Sequence, residues 1–209
     1  MSPNLEAISP RTVVLHWIPL GAGSSVPTVR WSGRVYESLS ALRSRRQRCD
    51  LYHAALEVTA SSQRYTLEMT PAWGTRVRDR GVVLTGPVGV RLLGRSKFFR
   101  YEVRCWPDGQ IPDLAYAVGD PLVLSSSCDD ADRLLRAVQS VPPLTWGRDE
   151  LDAGDMWNSN SVVAFLLEQT GLPAGEVKPP RNGRAPGWRA GLLAAGQANA
   201  STGGHEQTK

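Results

Sequence analysis

The chain has 209 residues, a formal net charge of +4 and 41% hydrophobic residues, seven of all its residues being tryptophan, which is enough apolar material for one domain with its own core. No apolar run reaches the ~20 residues that cross a bilayer, and the opening MSPNLEAISP lacks the basic-then-apolar order of a signal peptide, so a cytoplasmic protein without a membrane span is expected. Three dispersed cysteines (Cys49, Cys105, Cys128) and three dispersed histidines (His16, His53, His205) argue against a disulfide scaffold and against a structural metal.

Charge is unevenly spread: residues 1–48 sum to +5, residues 49–175 to −4 and residues 176–209 to +3. Arginine supplies 21 of the 24 basic groups in every part of the chain, a bias that composition explains without nucleic acid, so no nucleic-acid partner is expected. Gly86, Gly89 and Gly94 fit neither a phosphate-binding nor a dinucleotide-binding loop, and no cofactor is expected.

Residues 1–10 read as a disordered N-terminus. The β-branched run 12–20 predicts a strand, and Val35, Leu39 and Leu42 predict a helix over 31–47 that ends in Arg43, Arg45, Arg46 and Arg48. Leu51–Thr59 and Arg64–Thr70 predict a hairpin about a Ser61-Ser62 turn. In that register Val58 faces Tyr65, Ala55 faces Glu68, and Glu68 becomes the diagonal neighbour of His53. Further strands are expected over 81–90 and 97–106, the second with Phe99, Tyr101, Val103 and Cys105 inward and Arg100, Glu102 and Arg104 outward. A short amphipathic helix is expected over 129–139, and a turn-rich stretch over 141–157. The helix after it has Asn158 as N-cap, a stripe of Val162, Val163, Leu166 and Leu167, and Gly171 at its end. The arm KPPRNGRAPGWRAGL and a patternless tail complete the chain.

One constellation carries chemistry. A histidine near the start of a strand (His53), an acid on the neighbouring strand (Glu68) and a hydroxyl at a helix start (Ser159) are the base, orienting group and nucleophile of acyl transfer, and the helix N-terminus adds free N–H groups for an oxyanion. Cys49, four residues before His53, is an alternative nucleophile that an adjacent loop would bring into the site. Asp149, Glu150, Asp152 and Asp155 lack the spacing of a calcium loop and read as a solvated acidic loop. Trp73, Trp106, Trp146, Trp157 and Trp188 read as core lids or groove walls.

Tyr52-His53-Ala54-Ala55-Leu56-Glu57-Val58, followed about 105 residues later by Asn158-Ser159-Asn160-Ser161-Val162, resembles the circularly permuted papain-like superfamily of NlpC-type amidases, lecithin retinol acyltransferase-like proteins and PPPDE-type peptidases. The resemblance implies an α+β fold in which a mainly antiparallel sheet packs against helices. It also implies His53 as base, Glu68 as orienting group and position 159 as nucleophile, with the backbone N–H groups of Ser159 and Asn160 and the Asn158 side chain around the oxyanion. Position 159 departs from the family by carrying serine where the family has cysteine. Segments around Trp146 and Gly183 resemble actinobacterial proteins and bring no activity with them.

The expectation is a single papain-like domain over 11–191 with a disordered tail over 192–209. Its function is hydrolysis or acyl transfer on a small-molecule, peptide or lipid amide, ester or thioester. The alternative is an inactive relative that binds a peptide or lipid in the same groove.

Overall fold

The computed structural model describes residues 12–22, 45, 47–72, 81–111, 113–180 and 183–203. Among them are seven strands and three α-helices: β1 (Thr12–Pro19), β2 (Asp50–Ala60), β3 (Gln63–Pro71), β4 (Val82–Pro87), β5 (Arg100–Pro107), β6 (Leu122–Ser125), α1 (Cys128–Ala137), α2 (Ser159–Gln169), β7 (Gly183–Arg184) and α3 (Trp188–Gly203). The strands lie in the order β4-β5-β3-β2-β1-β6, every neighbouring pair antiparallel, and β7 adds a short parallel pairing to β2. The protein is thus α+β with a mainly antiparallel sheet. The predicted helix over 31–47 lies almost wholly outside the described residues, as do Trp73 and His205.

Period-2 alternation sorts β2 onto two faces. Tyr52, Ala54, Leu56, Val58 and Ala60 join the main core with Val162, Val163, Phe165, Leu166 and Leu167 of α2, while Ala55 joins Ile18 and Ile111 in a small cluster on the other face. The hairpin follows the predicted register: Ser61 and Ser62, at φ 49° and 69°, form the turn, with Ala60 opposite Gln63 and Val58 opposite Tyr65. That ladder stops at Leu56 opposite Leu67. Beyond it β3 stays with β5 as far as Pro71 and β2 stays with β1 as far as Tyr52, so the two strands part and leave an opening in the sheet.

Two features differ from expectation. In β5 the charged face is covered as well as the apolar one: Tyr101, Glu102, Val103 and Arg104 are all buried, and Phe99, in a 3-10 turn before the strand, is exposed. The Arg104 guanidinium reaches Glu102 Oε2 at 2.8 Å and Glu68 Oε1 at 3.2 Å, so these charges enter the interior paired. The second is α3, which runs to Gly203 through residues expected as an irregular arm and tail. Its Ala190, Ala194 and Ala195 are buried, and a Cβ on Gly191 would stand 2.2 Å from the Ser161 carbonyl oxygen, so small residues let α3 lie directly on α2. A run of alanine and glycine carries little polar–apolar contrast, which is why its periodicity is faint in the sequence.

Cys105 packs against the core, and burial pushes its thiol up to about 11. At pH 8 only about a thousandth of such a thiol is thiolate. Iodoacetamide at that pH is therefore expected to alkylate the exposed Cys128 and to spare Cys105 until the chain is unfolded, as peptide mass mapping will report.

Among the described residues no helix is long and apolar enough to cross a membrane, and no group of three or more His, Cys, Asp or Glu is placed to hold a metal.

Candidate functional site

The opening between β2 and β3 is closed from the helical side by α2. Where β3 has left, the β2 backbone would expose Ala54 N–H and Tyr52 C=O, and the Asn160 side chain takes both: Oδ1 accepts from Ala54 N at 2.7 Å and Nδ2 donates to Tyr52 O at 3.0 Å. Nδ2 also donates to Pro186 O at 2.8 Å. A primary amide is the one side chain whose donor and acceptor copy a backbone peptide edge in this way. Asn160 is 3% exposed and pins the start of α2 against the strand that carries His53.

A cavity of about 350 Å³ fills the opening. Its walls bring together His53, Glu68 and Ser159, along with Asp113, and the rest is largely apolar, with Leu67, Met69, Val162, Val163, Leu166 and Trp146.

The carboxylate that meets His53 is Asp113, whose Oδ2 lies 2.9 Å from His53 Nε2. Asp113 precedes the 3-10 turn Leu114–Tyr116, and that segment is tied to β1 by Val118 N–H donating to Trp17 O at 2.8 Å, next to the Ile18 that pairs with His53. Burial alone would raise the Asp113 pKa; the hydrogen bond and charge of His53 outweigh it and hold the carboxyl below its usual value. Glu68 lines the same cavity, but the expected Ala55–Glu68 pairing does not form because the ladder ends at Leu56–Leu67, and its carboxylate turns to Arg104 at 3.2 Å and not to His53. Burial dominates there and raises the Glu68 pKa against the pull of Arg104, and the charge of Asp113 adds to the rise. Of the two acids, Asp113 keeps its charge the more readily and is the one that holds the imidazole.

Asn158 caps α2 as its sequence indicates, within a complete capping box: its Oδ1 accepts from Asn160 N at 2.9 Å and Ser161 N at 3.3 Å, and Ser161 Oγ accepts from Asn158 N at 2.9 Å. Its Nδ2 donates to Pro186 O at 2.9 Å. The Asn158 amide and the Asn160 N–H, both expected around an oxyanion, are thus spent on the cap. Ser159 is the first residue of the helix. Neither its N–H nor its hydroxyl has a hydrogen-bond partner among the described residues, and no hydrogen bond joins Ser159 to His53. The Ser159 N–H is thus free among the described residues, and the residue that carries it at the positive end of the helix dipole lines the cavity.

The acidic loop has structural employment. Asp149 accepts from Ala153 N and Gly154 N, Glu150 from Thr145 N and Oγ1, and Asp155 from Gly187 N at the start of α3. Cys49 turns its thiol to Gln47 O, away from the cavity. Of the tryptophans, Trp146 is a cavity wall, Trp157 is core, and Trp188 packs against Trp17 with ring centres 5.5 Å apart and planes tilted by 44°.

Two groups of the site carry no signal in the sequence, the Asn160 side chain and Asp113. Asn160 stands beside the nominated serine in a helix start, where asparagine looks like a second cap candidate; its full burial is known only from the fold. Asp113 sits in IPDLAY, a turn with nothing to set it apart from the other acids of the middle segment. Comparison of the chain with protein-family models, with curated proteins and with solved structures finds no match to any of them.

Proposed function

We propose that the protein is a serine-dependent hydrolase or acyltransferase acting on an amide, ester or thioester, with Ser159 as nucleophile, His53 as general base and Asp113 as the group that orients the base. The observation that carries this reading is a hydroxyl without a hydrogen-bond partner at a helix N-terminus, lining one cavity with a histidine whose far nitrogen is fixed by a carboxylate. With Nε2–H donating to Asp113, Nδ1 is the nitrogen that takes the Ser159 proton as Oγ attacks the carbonyl carbon. The imidazolium formed is stabilised by Asp113 and returns the proton to the leaving group. The Ser159 N–H and the helix dipole face the developing oxyanion. The apolar walls suit an acyl or peptide portion of low polarity. A histidine strand followed in sequence by the nucleophile helix, within an antiparallel sheet packed on helices, accords with a circularly permuted papain-like arrangement.

The test is labelling by a fluorophosphonate probe. Wild type is expected to label at Ser159. Ser159→Ala and His53→Ala are expected to abolish labelling, and Asp113→Asn to slow it by about 10²-fold or more, because the amide no longer stabilises the imidazolium. Ser159→Ala is expected to unfold at nearly the wild-type denaturant concentration, since Asn158 and not Ser159 caps the helix. An unlabelled wild type would count against catalysis.

A second reading, a cavity that binds a peptide or lipid segment without catalysis, is favoured by the commitment of Asn158 and Asn160 N–H to the cap and by the lack of a Ser159–His53 hydrogen bond.

A further inference from the structure

The connection from β4 to β5 stands apart from the rest of the surface. Between residues 81 and 101 the sequence has four basic residues, Arg91, Arg95, Lys97 and Arg100, and no acid. Here Leu92 is 78% exposed and Phe98 63%, the two most exposed large apolar side chains among the described residues, and Val90, Leu93 and Phe99 beside them are exposed too. Exposed apolar groups this large, gathered in ten residues, mark an interaction surface.

The segment is braced. It consists of two 3-10 turns, Arg91–Arg95 and Lys97–Phe99, and Arg100 donates from Nε to Gly94 O at 3.1 Å and from Nη2 to Arg95 O at 2.9 Å. Arg148 Nε donates to Gly89 O at 2.6 Å, and Val88 bridges to Trp146. One cation is therefore consumed in holding the loop, whereas Arg91, Arg95 and Lys97 stay exposed around the apolar tip. The Lys97 ammonium lies 5.5 Å from the centre of the Phe98 ring. Glu150, which accepts from Thr145 N–H and Oγ1–H, also feels the charge of Arg91, so Arg91 is the partly offset member of the collar.

We infer that this loop docks the protein on an anionic membrane surface, placing Leu92 and Phe98 at the headgroup–acyl boundary while Arg91, Arg95 and Lys97 meet lipid phosphates. Apolar tips inside a ring of exposed cations match the two layers of such an interface in order: apolar groups at depth, positive charge at the headgroups. Because the loop is held before it meets the surface, little ordering entropy opposes insertion. The Val88–Trp146 bridge sets the base of the loop beside a wall of the cavity. The inference is independent of what the cavity does.

Flotation of the full chain with vesicles of phosphatidylcholine, alone or mixed with phosphatidylserine, tests it. Binding is expected to the mixed vesicles and to fall as salt rises. Leu92→Ser and Phe98→Ser are each expected to weaken it about tenfold or more. Arg91→Gln, Arg95→Gln and Lys97→Gln are each expected to cost about fivefold. All five side chains are exposed, so the variants are expected to keep the wild-type circular dichroism and unfolding midpoint, which separates loss of docking from loss of fold. The inference is overturned if the wild type does not bind the mixed vesicles at low salt, or if binding survives both serine variants and depends on charge alone. It is overturned equally if the apolar tips instead drive self-association of the chain, seen as a concentration-dependent mass that Leu92→Ser abolishes.

Discussion

Replacing Asn160 with leucine is expected to lower the stability of the fold by roughly 2–5 kcal/mol, a large part of the roughly 5–15 kcal/mol typical of a domain. Leucine has the same branching, though it is bulkier, and leaves Ala54 N–H and Tyr52 C=O facing the interior with nothing to bond, at about 1–3 kcal/mol each. Pro186 C=O suffers less, because Asn158 Nδ2 still donates to it. Asn160→Asp retains an acceptor for Ala54 N–H but turns a carboxylate oxygen toward two carbonyl oxygens, so it is expected to be no better. Asn158→Ala, which removes only the cap, is expected to cost about 1 kcal/mol. Urea unfolding followed by tryptophan fluorescence ranks the three. An Asn160→Leu protein within about 0.5 kcal/mol of wild type would mean that the β2 edge is satisfied by some other group and that Asn160 does not hold α2 against the strand that carries His53.

The same residue explains how far the site was legible in the sequence. The hairpin register followed from the Ser61-Ser62 turn and the alternation on each side as far as Leu56–Leu67, and Glu68 lines the cavity with His53 although no Ala55–Glu68 pair forms. Alternation cannot say where a ladder ends, however. Here it ends at Leu56–Leu67, and the edge so exposed is matched to an asparagine 106 residues beyond Ala54, a match that exists only in three dimensions. Asp113 was hidden for a similar reason: it reaches His53 because its turn is stitched to β1, 60 residues from the histidine. Strand β5 shows a different limit, since alternating Glu102 and Arg104 reads as a wet face, whereas mutual pairing lets both be buried. Helix α3 shows a third: alanine and glycine pack through their smallness, which leaves little contrast for a periodicity to reveal.

Whether Ser159, His53 and Asp113 act as one reactive site is read from the pH dependence of a thiol placed at the nucleophile position. In a chain with Cys49 and Cys128 changed to serine, Ser159→Cys adds one thiol at the start of α2, in the cavity that His53 also lines, with the half-buried Cys105 as the other. An imidazolium and a helix N-terminus both stabilise a thiolate, so alkylation by iodoacetamide is expected to titrate at least one unit below the usual ~8.5 and to proceed at pH 6. Adding His53→Ala removes the cation and is expected to move that titration back up and to slow the reaction at pH 6 by about tenfold or more. Asp113→Asn, which leaves the imidazole but takes away its anionic partner, is expected to fall between the two. A thiol that titrates near 8.5 whether or not His53 is present would contradict a single reactive site, because it would mean that the histidine and position 159 share a cavity without acting on each other.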